Sequence, residues 1–284
     1  MRKLTRRKLL RLALASGRSS VAATAALLYS RRVEPYRLVV ERVEARPAGL
    51  PRELDGLTLG LMSDLHRGSY ASEAFIERAA EALMSLAPDL ITLTGDFVHG
   101  YNFQGPSVAR ALRALHAPLG IYAVMGNHDH WLDHEAIERA LRRQFADQSF
   151  EVLRNTRVRL EVRGAPLHIV GVDDVMVGRD NLDQALAGMP DRQPAILLAH
   201  EPDFADTASQ RYPFLLQVSG HSHGGQVRLP VIGAPILPPL GERYPIGLQR
   251  AGDMLVYTSR GIGMIYPPVR FMCPPEVTLI TLRA

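Results

Sequence analysis

The sequence predicts an α/β fold in which helices cover mostly buried sheets. Three observations predict it: from Leu57 onward the 284-residue chain repeats short apolar runs, helix-like segments alternate with those runs, and several runs end in Gly, Asp, Asn or His. Alternation of this kind lays helices on sheet faces. With 46% hydrophobic residues the chain can build one sizeable domain or at most two small ones. No internal repeat divides it.

Residues 1–32 stand apart. They carry nine basic residues and no acid, which leaves 24 basic residues against 29 acids in the remainder, a balance of −5. The net charge of +4 therefore belongs to the leader, and no nucleic-acid partner is expected. The longest uncharged stretch runs from Ser19 to Ser30. As a helix it would reach about 18 Å, short of the roughly 30 Å hydrocarbon core, so it suits a signal peptide better than a spanning helix. Thr5-Arg6-Arg7-Lys8-Leu9-Leu10 resembles a twin-arginine export signal, and Ala23-Thr24-Ala25 offers a small-x-small cleavage site. Arg18 interrupts the apolar region, so an uncleaved anchor or a basic helix lying on a membrane stays open as the alternative. Residues 33–54 are expected to form a linker and leading strand, and residues 55–284 the catalytic domain.

The six runs LTLGLM, DLITLTG, GIYAVMG, PLHIVGV, AILLAH and FLLQVSG are apolar on both faces, as buried strands require. Between them Ser72–Leu86, Ser107–His116 and Asp133–Phe145 place apolar residues three and four apart behind Ser or Asp N-caps, which predicts helices. Arg157–Val162 alternates polar with apolar and reads as an outer strand with one wet face. The single cysteine, Cys273, excludes an intramolecular disulfide and reads as a small core or loop residue. His168, alone on an apolar run, reads as a satisfied core residue.

Chemistry gathers at the run ends. They deliver Asp64 and His66, Asp96, Asn127 with His128 and Asp129, His200, and the pair His221 and His223 within GHSHGGQ. In open α/β sheets, sites form beyond the carboxyl ends of the strands. In an extended segment residues i and i+2 project the same way, so Asp64 with His66, and His221 with His223, are each expected to face one pocket. Gly95, Gly126, Gly220 and Gly224 are expected to let the backbone turn and approach closely.

The ordered blocks Asp64-x-His66, Gly95-Asp96, Gly126-Asn127-His128-Asp129, His200 and Gly220-His221-x-His223 resemble the calcineurin-like metallophosphoesterase superfamily, over residues 55–284. The tail, with RLPVIGAPILPP, YTSRGIG and RFMCPPEVTLITL, looks like its bacterial branch with twin-arginine leaders. The resemblance implies a four-layer α/β/β/α sandwich, two mostly buried sheets flanked by helices. It implies two divalent transition-metal ions, Mn, Fe or Zn: Asp64, His66 and His223 would hold one, Asn127, His200 and His221 the other, and Asp96 would bridge. Carboxylate, imidazole and amide donors suit such ions.

It further implies a phosphohydrolase that cleaves a phosphodiester or pyrophosphate bond through a metal-bridging hydroxide, with His128 stabilising charge or protonating the leaving oxygen. Asp129 reads as structural. Serine/threonine phosphatases of the superfamily follow the Gly-Asp block with Asp-Arg-Gly, whereas this chain continues Phe97-Val98-His99-Gly100, which argues against a phosphoprotein substrate. His99 and His130, beside the motifs, are candidates to line the substrate cleft. The expected partners are a phosphate ester, with a lipid-linked cell-envelope compound as one class, the twin-arginine machinery, and a membrane through the N-terminus. The expected location is the periplasm or the outer face of the cell membrane or wall. The competing reading is a non-catalytic metal-binding envelope protein on the same scaffold.

Overall fold

The computed structural model describes residues 23–100 and 104–284. The twin-arginine motif lies outside the described residues; Ala23-Thr24-Ala25 lies inside them, at the start of the helical residues 23–32. Among the described residues no helix is long and apolar enough to cross a membrane.

Two six-stranded sheets form the centre. The strands are β1 (Val39–Ala45), β2 (Thr58–Met62), β3 (Leu90–Thr94), β4 (Ile121–Val124), β5 (Phe150–Val152), β6 (Thr156–Val162), β7 (Ala165–Gly171), β8 (Ala195–Leu198), β9 (Leu216–Ser219), β10 (Gly247–Ala251), β11 (Met254–Thr258) and β12 (Glu276–Leu282). One sheet runs β1-β12-β2-β3-β4-β5, the other β10-β11-β9-β8-β7-β6. β2, β3, β4 and β5 are parallel to one another, as are β7, β8, β9 and β11. The antiparallel β6 edges the second sheet with a half-exposed face, as its alternation predicts.

Three apolar layers follow from the strand pattern. Leu59, Leu61, Val124, Ile169, Leu198 and Val218 pack between the sheets, whereas Ile91, Leu93 and Ala123 turn outward against the helices of the first sheet. Val170, Leu197 and Val256 do the same on the second sheet. The layering is thus α/β/β/α, as expected. Burial of both strand faces is what makes the runs continuously apolar.

The helix Glu73–Met84 begins where Ser72 Oγ accepts from Phe75 N at 3.2 Å, and it buries Phe75, Ile76, Ala79, Ala80 and Leu83. Asp133 caps the helix His134–Gln144 through Ala136 N at 2.9 Å, and Ile137 and Leu141, one turn apart, face the core. The helix expected at Ser107–His116 instead spans Gly105–Ala111. Pro106 fits the first turn, where its missing N–H costs nothing, so the helix starts earlier. It also stops earlier: Leu112 and Leu115 reach the core through turns, ahead of Pro118, which disfavours helical backbone at Ala117.

The sequence reading leaves β5, β10, β11 and β12 unnamed, as well as the short helices Asn127–His130, Leu182–Leu186 and Ala205–Arg211. β12 runs parallel to the leading strand β1 and antiparallel to β2, so the C-terminus is inserted into the first sheet. His168 is buried as expected, yet its Nδ1 has no partner. Cys273 is buried, with Sγ 3.2 Å from the His223 carbonyl.

Gly171 lies at the end of β7, where a Cβ would overlap Leu153 and meet Val124 Cγ1 at 3.0 Å. Gly171→Ala is therefore expected to destabilise the fold by about 1–3 kcal/mol through overpacking. Urea unfolding should show a lower midpoint at unchanged m-value. An unchanged midpoint would mean that the sheets part there without cost.

Candidate metal centre

The run ends do converge at the carboxyl ends of the strands. Asp64 and His66 follow β2, Asp96 follows β3, Asn127 follows β4, His200 follows β8, and His221 and His223 follow β9. All seven side chains belong to buried residues. Asp96 stands at the centre, its Oδ2 3.4 Å from His66 Nε2 and 3.2 Å from His200 Nε2. On one side His66 Nε2 and His223 Nε2 are 2.9 Å apart, and His223 Nε2 is 3.5 Å from Asp64 Oδ1. On the other, the His221 ring stands edge-on to that of His200 at 5.1 Å. Among the described residues three groups have the reach to hold a cation: Asp64 with His66 and His223, Asp64 with Asp96 and His200, and His66 with His99 and His128.

The means of convergence differs from the expected strand alternation. Asp64, His66, Asp96, His221 and His223 all have positive φ, between 44° and 67°. Each pair faces one pocket because left-handed turns aim the side chains inward. Such backbone costs about 1–3 kcal/mol per residue and persists only where its surroundings over-determine it. Here Asp64 N donates to Gly95 O at 3.0 Å, His66 N to Asp96 O at 2.9 Å, and Gly263 N to Asp64 O at 2.7 Å.

Two glycines permit the close approach. A Cβ on Gly220 would overlap Ser63 and the Asp64 carboxylate, and one on Gly126 would overlap Asp96. With those positions bare, Asp64 Oδ1 accepts from His221 N at 2.9 Å, and Asp96 Oδ1 accepts from His128 N at 2.9 Å.

The imidazoles are oriented from behind. His200 Nδ1 lies 2.6 Å from the Thr94 carbonyl and His221 Nε2 lies 2.8 Å from the Pro239 carbonyl. A carbonyl can only accept, so each of these nitrogens donates a proton and turns the opposite nitrogen toward the centre. Burial pushes His66 and His223 well below the usual imidazole range and His221 down to about 4, which keeps them neutral. Burial works against His200 too, but the Asp96 charge outweighs it and pushes that ring up. Burial raises the Asp64 carboxyl to about 6.

These residues fit a metal. Asn127 Oδ1, His66 Nδ1 and His223 Nδ1 are buried without a hydrogen-bond partner, and His66 Nε2 and His223 Nε2 face each other at 2.9 Å. Orphaned acceptors beside two buried carboxylates are costly in a dry site and are satisfied by divalent ions of the transition series.

The neighbours of the motifs divide. The His128 ring stands perpendicular to His66 at 4.7 Å and 4.9 Å from His99, so both enter the site's mouth and come within ligand reach of His66. His130 does not. Its side chain is buried and its Nε2 lies 2.7 Å from Asp173 Oδ1, so the expectation that it lines a substrate cleft is corrected: a hydrogen bond to Asp173 takes up the ring. Asp129 is structural, accepting from Phe97 N, Val98 N and Gly126 N and so tying the Asp96 and Asn127 loops together. The sequence reading missed Arg270, which is fully buried and donates to the carbonyls of Arg260, Gly261, Gly263 and Cys273. It thereby fastens the loop that holds Asp64, and no spacing signal announces it.

The calcineurin-like phosphoesterase pattern matches residues 57–225. The chain is 34% identical over 290 residues to the uncharacterized metallophosphoesterase YkuE of Bacillus subtilis (strain 168), covering 100% of this chain and 99% of that protein. It is 31% identical over 224 residues to the phosphodiesterase YaeI of Escherichia coli (strain K12), covering 78% and 80%. It is 28% identical over 303 residues to the UDP-2,3-diacylglucosamine pyrophosphatase LpxG of Chlamydia trachomatis serovar D, covering 89% and 92%.

Burial alone would raise the Asp173 carboxyl, but its hydrogen bond to and charge contact with His130 outweigh burial and hold it down at about 2. A carboxyl with a lower pKa folded than the ~3.9 of an unfolded chain stabilises the fold above that value, and the contribution disappears as pH falls toward 2. Asp173→Asn should lower the urea midpoint at pH 7, and the gap from wild type should close between about pH 4 and pH 2. A gap that stays constant over that window would assign the loss to packing instead of charge.

Proposed function

Because this chain belongs to the calcineurin-like phosphoesterase family and is a metal-dependent phosphoesterase, we propose that it cleaves a phosphodiester or pyrophosphate bond at a two-metal centre bridged by Asp96. The observation that carries this reading is the position of Asp96, whose single Oδ2 lies within 3.4 Å of ring nitrogens on both sides. Asp64, His66 and His223 would hold one ion, and Asn127, His200 and His221 the other. When bound, such ions supply Lewis acidity, activating water and offsetting charge on phosphoryl oxygens.

The chain's own residues supply orientation and protons. The Thr94 and Pro239 carbonyls fix which nitrogen of His200 and His221 faces the centre. Asn127 contributes a neutral amide oxygen and so leaves positive charge for an anionic substrate. His128, anchored by its backbone N–H on Asp96, places its ring at the mouth, where it stabilises the negative charge developing on the substrate or delivers a proton to the leaving oxygen.

A lipid-linked cell-envelope substrate is the class this reading favours. An apolar cavity of about 220 Å³ opens beside His223, lined by Ile236, Leu237, Ile265, Tyr266 and Val269. The name of the chlamydial relative, a diacylglucosamine pyrophosphatase, supports an acyl-bearing substrate there. The basic leader supports export by the twin-arginine route to the periplasm or the outer face of the cell membrane or wall, with membrane attachment through the N-terminus. That route carries folded cargo, and ligands spread from residue 64 to residue 223 assemble only on folding.

Three outcomes test this. Hydrolysis of bis(p-nitrophenyl) phosphate should be abolished by chelator and restored by metal, and Asp96→Asn should lose both ions where His66→Ala mainly weakens one; full two-ion occupancy in Asp96→Asn, read by metal analysis, refutes the bridge. His128→Ala should keep its metal while kcat and kcat/KM fall together by roughly 10²–10⁴, with the greater loss on alkyl esters, whose leaving oxygen needs a proton. Metal lost in parallel with activity would instead make His128 a ligand. Replacing Arg6 and Arg7 with Lys should retain the protein inside the cell, and unchanged export would exclude the twin-arginine route.

A further inference from the structure

Most of the large hydrophobic residues left in water among the described residues gather on one face. The segment after His223 turns back as a hairpin: Leu229 N donates to Gly233 O at 2.8 Å, and Gly233 N to Leu229 O at 2.9 Å. Pro230, Val231 and Ile232 form its tip. Such tips normally carry Gly, Asn, Asp or Ser beside a proline. Here Val231 is wholly exposed, at a φ of 70° that a β-branched residue rarely adopts, and Ile232 and Ile236 stand out of the same loop.

Hydrogen bonds carry the face across two further segments. Arg228 N donates to Phe271 O at 2.8 Å and Gln226 Nε2 to Pro267 O at 3.2 Å, so the segment bearing the exposed Tyr266 and Met272 lies alongside the hairpin. Arg270 N donates to Ser30 O at 2.9 Å and joins the helical residues 23–32 to that segment. In that helix residues 23–28 are all exposed, and they read Ala-Thr-Ala-Ala-Leu-Leu, with no charged side to turn toward water. A helix of that kind belongs in a core or in lipid.

Charge identifies the partner. Residues 23–33, 226–240 and 262–275 contain no Asp or Glu, although the chain has 29 acids. Their charges are all positive: Arg31 and Arg32 are exposed, Arg228 is half-buried and Arg270 is buried. The rest of the leader's nine basic residues precede the helix. Exposed apolar side chains among cations suit the interface of an anionic bilayer, where Tyr266 can keep its hydroxyl among the headgroups.

We propose that the Val231 and Ile232 hairpin tip, with Tyr266 and Met272, inserts into the surface of an anionic membrane, and that the helical residues 23–32 lie on the same surface. This gives the folded domain its own membrane contact, beyond attachment through the N-terminus, and it does not depend on the phosphohydrolase reading. Ile236 and Tyr266 also line the cavity beside His223, so docking would hold the metal centre next to the lipid.

The test is sedimentation of the full chain with vesicles of phosphatidylcholine in which about one lipid in three is phosphatidylglycerol. Partitioning should exceed that onto phosphatidylcholine alone, and the double variant Val231→Ser, Ile232→Ser should lower it at least about tenfold, through the loss of two inserted aliphatic side chains. Both positions are exposed, so the variant should keep the wild-type urea midpoint. A second measurement places Ile232→Trp in a Trp131→Phe background, which removes the chain's one native tryptophan. Its emission should shift to the blue on vesicles and be quenched by brominated acyl chains. Arg159→Trp in the same background, on β6 at the far edge of the second sheet, should do neither. Unchanged partitioning of the serine variant, with the emission of Ile232→Trp unmoved by lipid, would leave attachment to the leader alone and overturn the face. Self-association of the wild type without lipid, lost in the serine variant, would assign the face to a second copy instead.

Discussion

The carboxylates of Asp64 and Asp96 sit on the seam between the two sheets, and the rest of the site is arranged around them. Both follow strands of the first sheet, yet Asp64 accepts from His221 N and Asp96 faces His200 Nε2, groups that follow strands of the second. Two buried carboxylates a few ångströms apart repel each other and lose their hydration, which is tolerable only with compensating cations or donors. The backbone N–H groups of His221 and His128 supply part of that compensation. The remaining demand is what gives the site its appetite for divalent metal.

Holding the ligands inward takes strained backbone, and the fold surrounds that strain with ties. Asp129 binds three amides from two loops, Gly263 N holds the Asp64 carbonyl, and Arg270 gathers four carbonyls beneath the same loop. Cys273 joins this set through its contact with the His223 carbonyl, and its own N–H donates to Glu34, so the segment preceding β1 is keyed to the metal loops as well. A preorganised site of this kind need not spend substrate binding energy on arranging its ligands.

The centre also has two unlike sides. Toward Trp131 the approach is walled by aromatic and imidazole rings; toward Ile236, Leu237 and Val269 the lining is mainly aliphatic. This division arises from placing the short helix after β4 on one side and the proline-rich loop after His223 on the other.

The sequence by itself determined the apolar runs, the capped helices at Glu73–Met84 and His134–Gln144, and the identity of the residues at the run ends. These depend on local pattern: two-faced burial, three-and-four spacing, and ligand types at strand termini. It did not determine how the ligands meet, because the decisive bonds join residues as far apart as Asp64 and His221, 157 positions along the chain. Only the tertiary structure decided that left-handed turns aim the paired ligands, that His130 belongs to Asp173 while His99 joins His128, and that Arg270 anchors the Asp64 loop. Each of those outcomes is set by which backbone carbonyls and carboxylates the folded chain brings within hydrogen-bonding reach, and no sequence period encodes that.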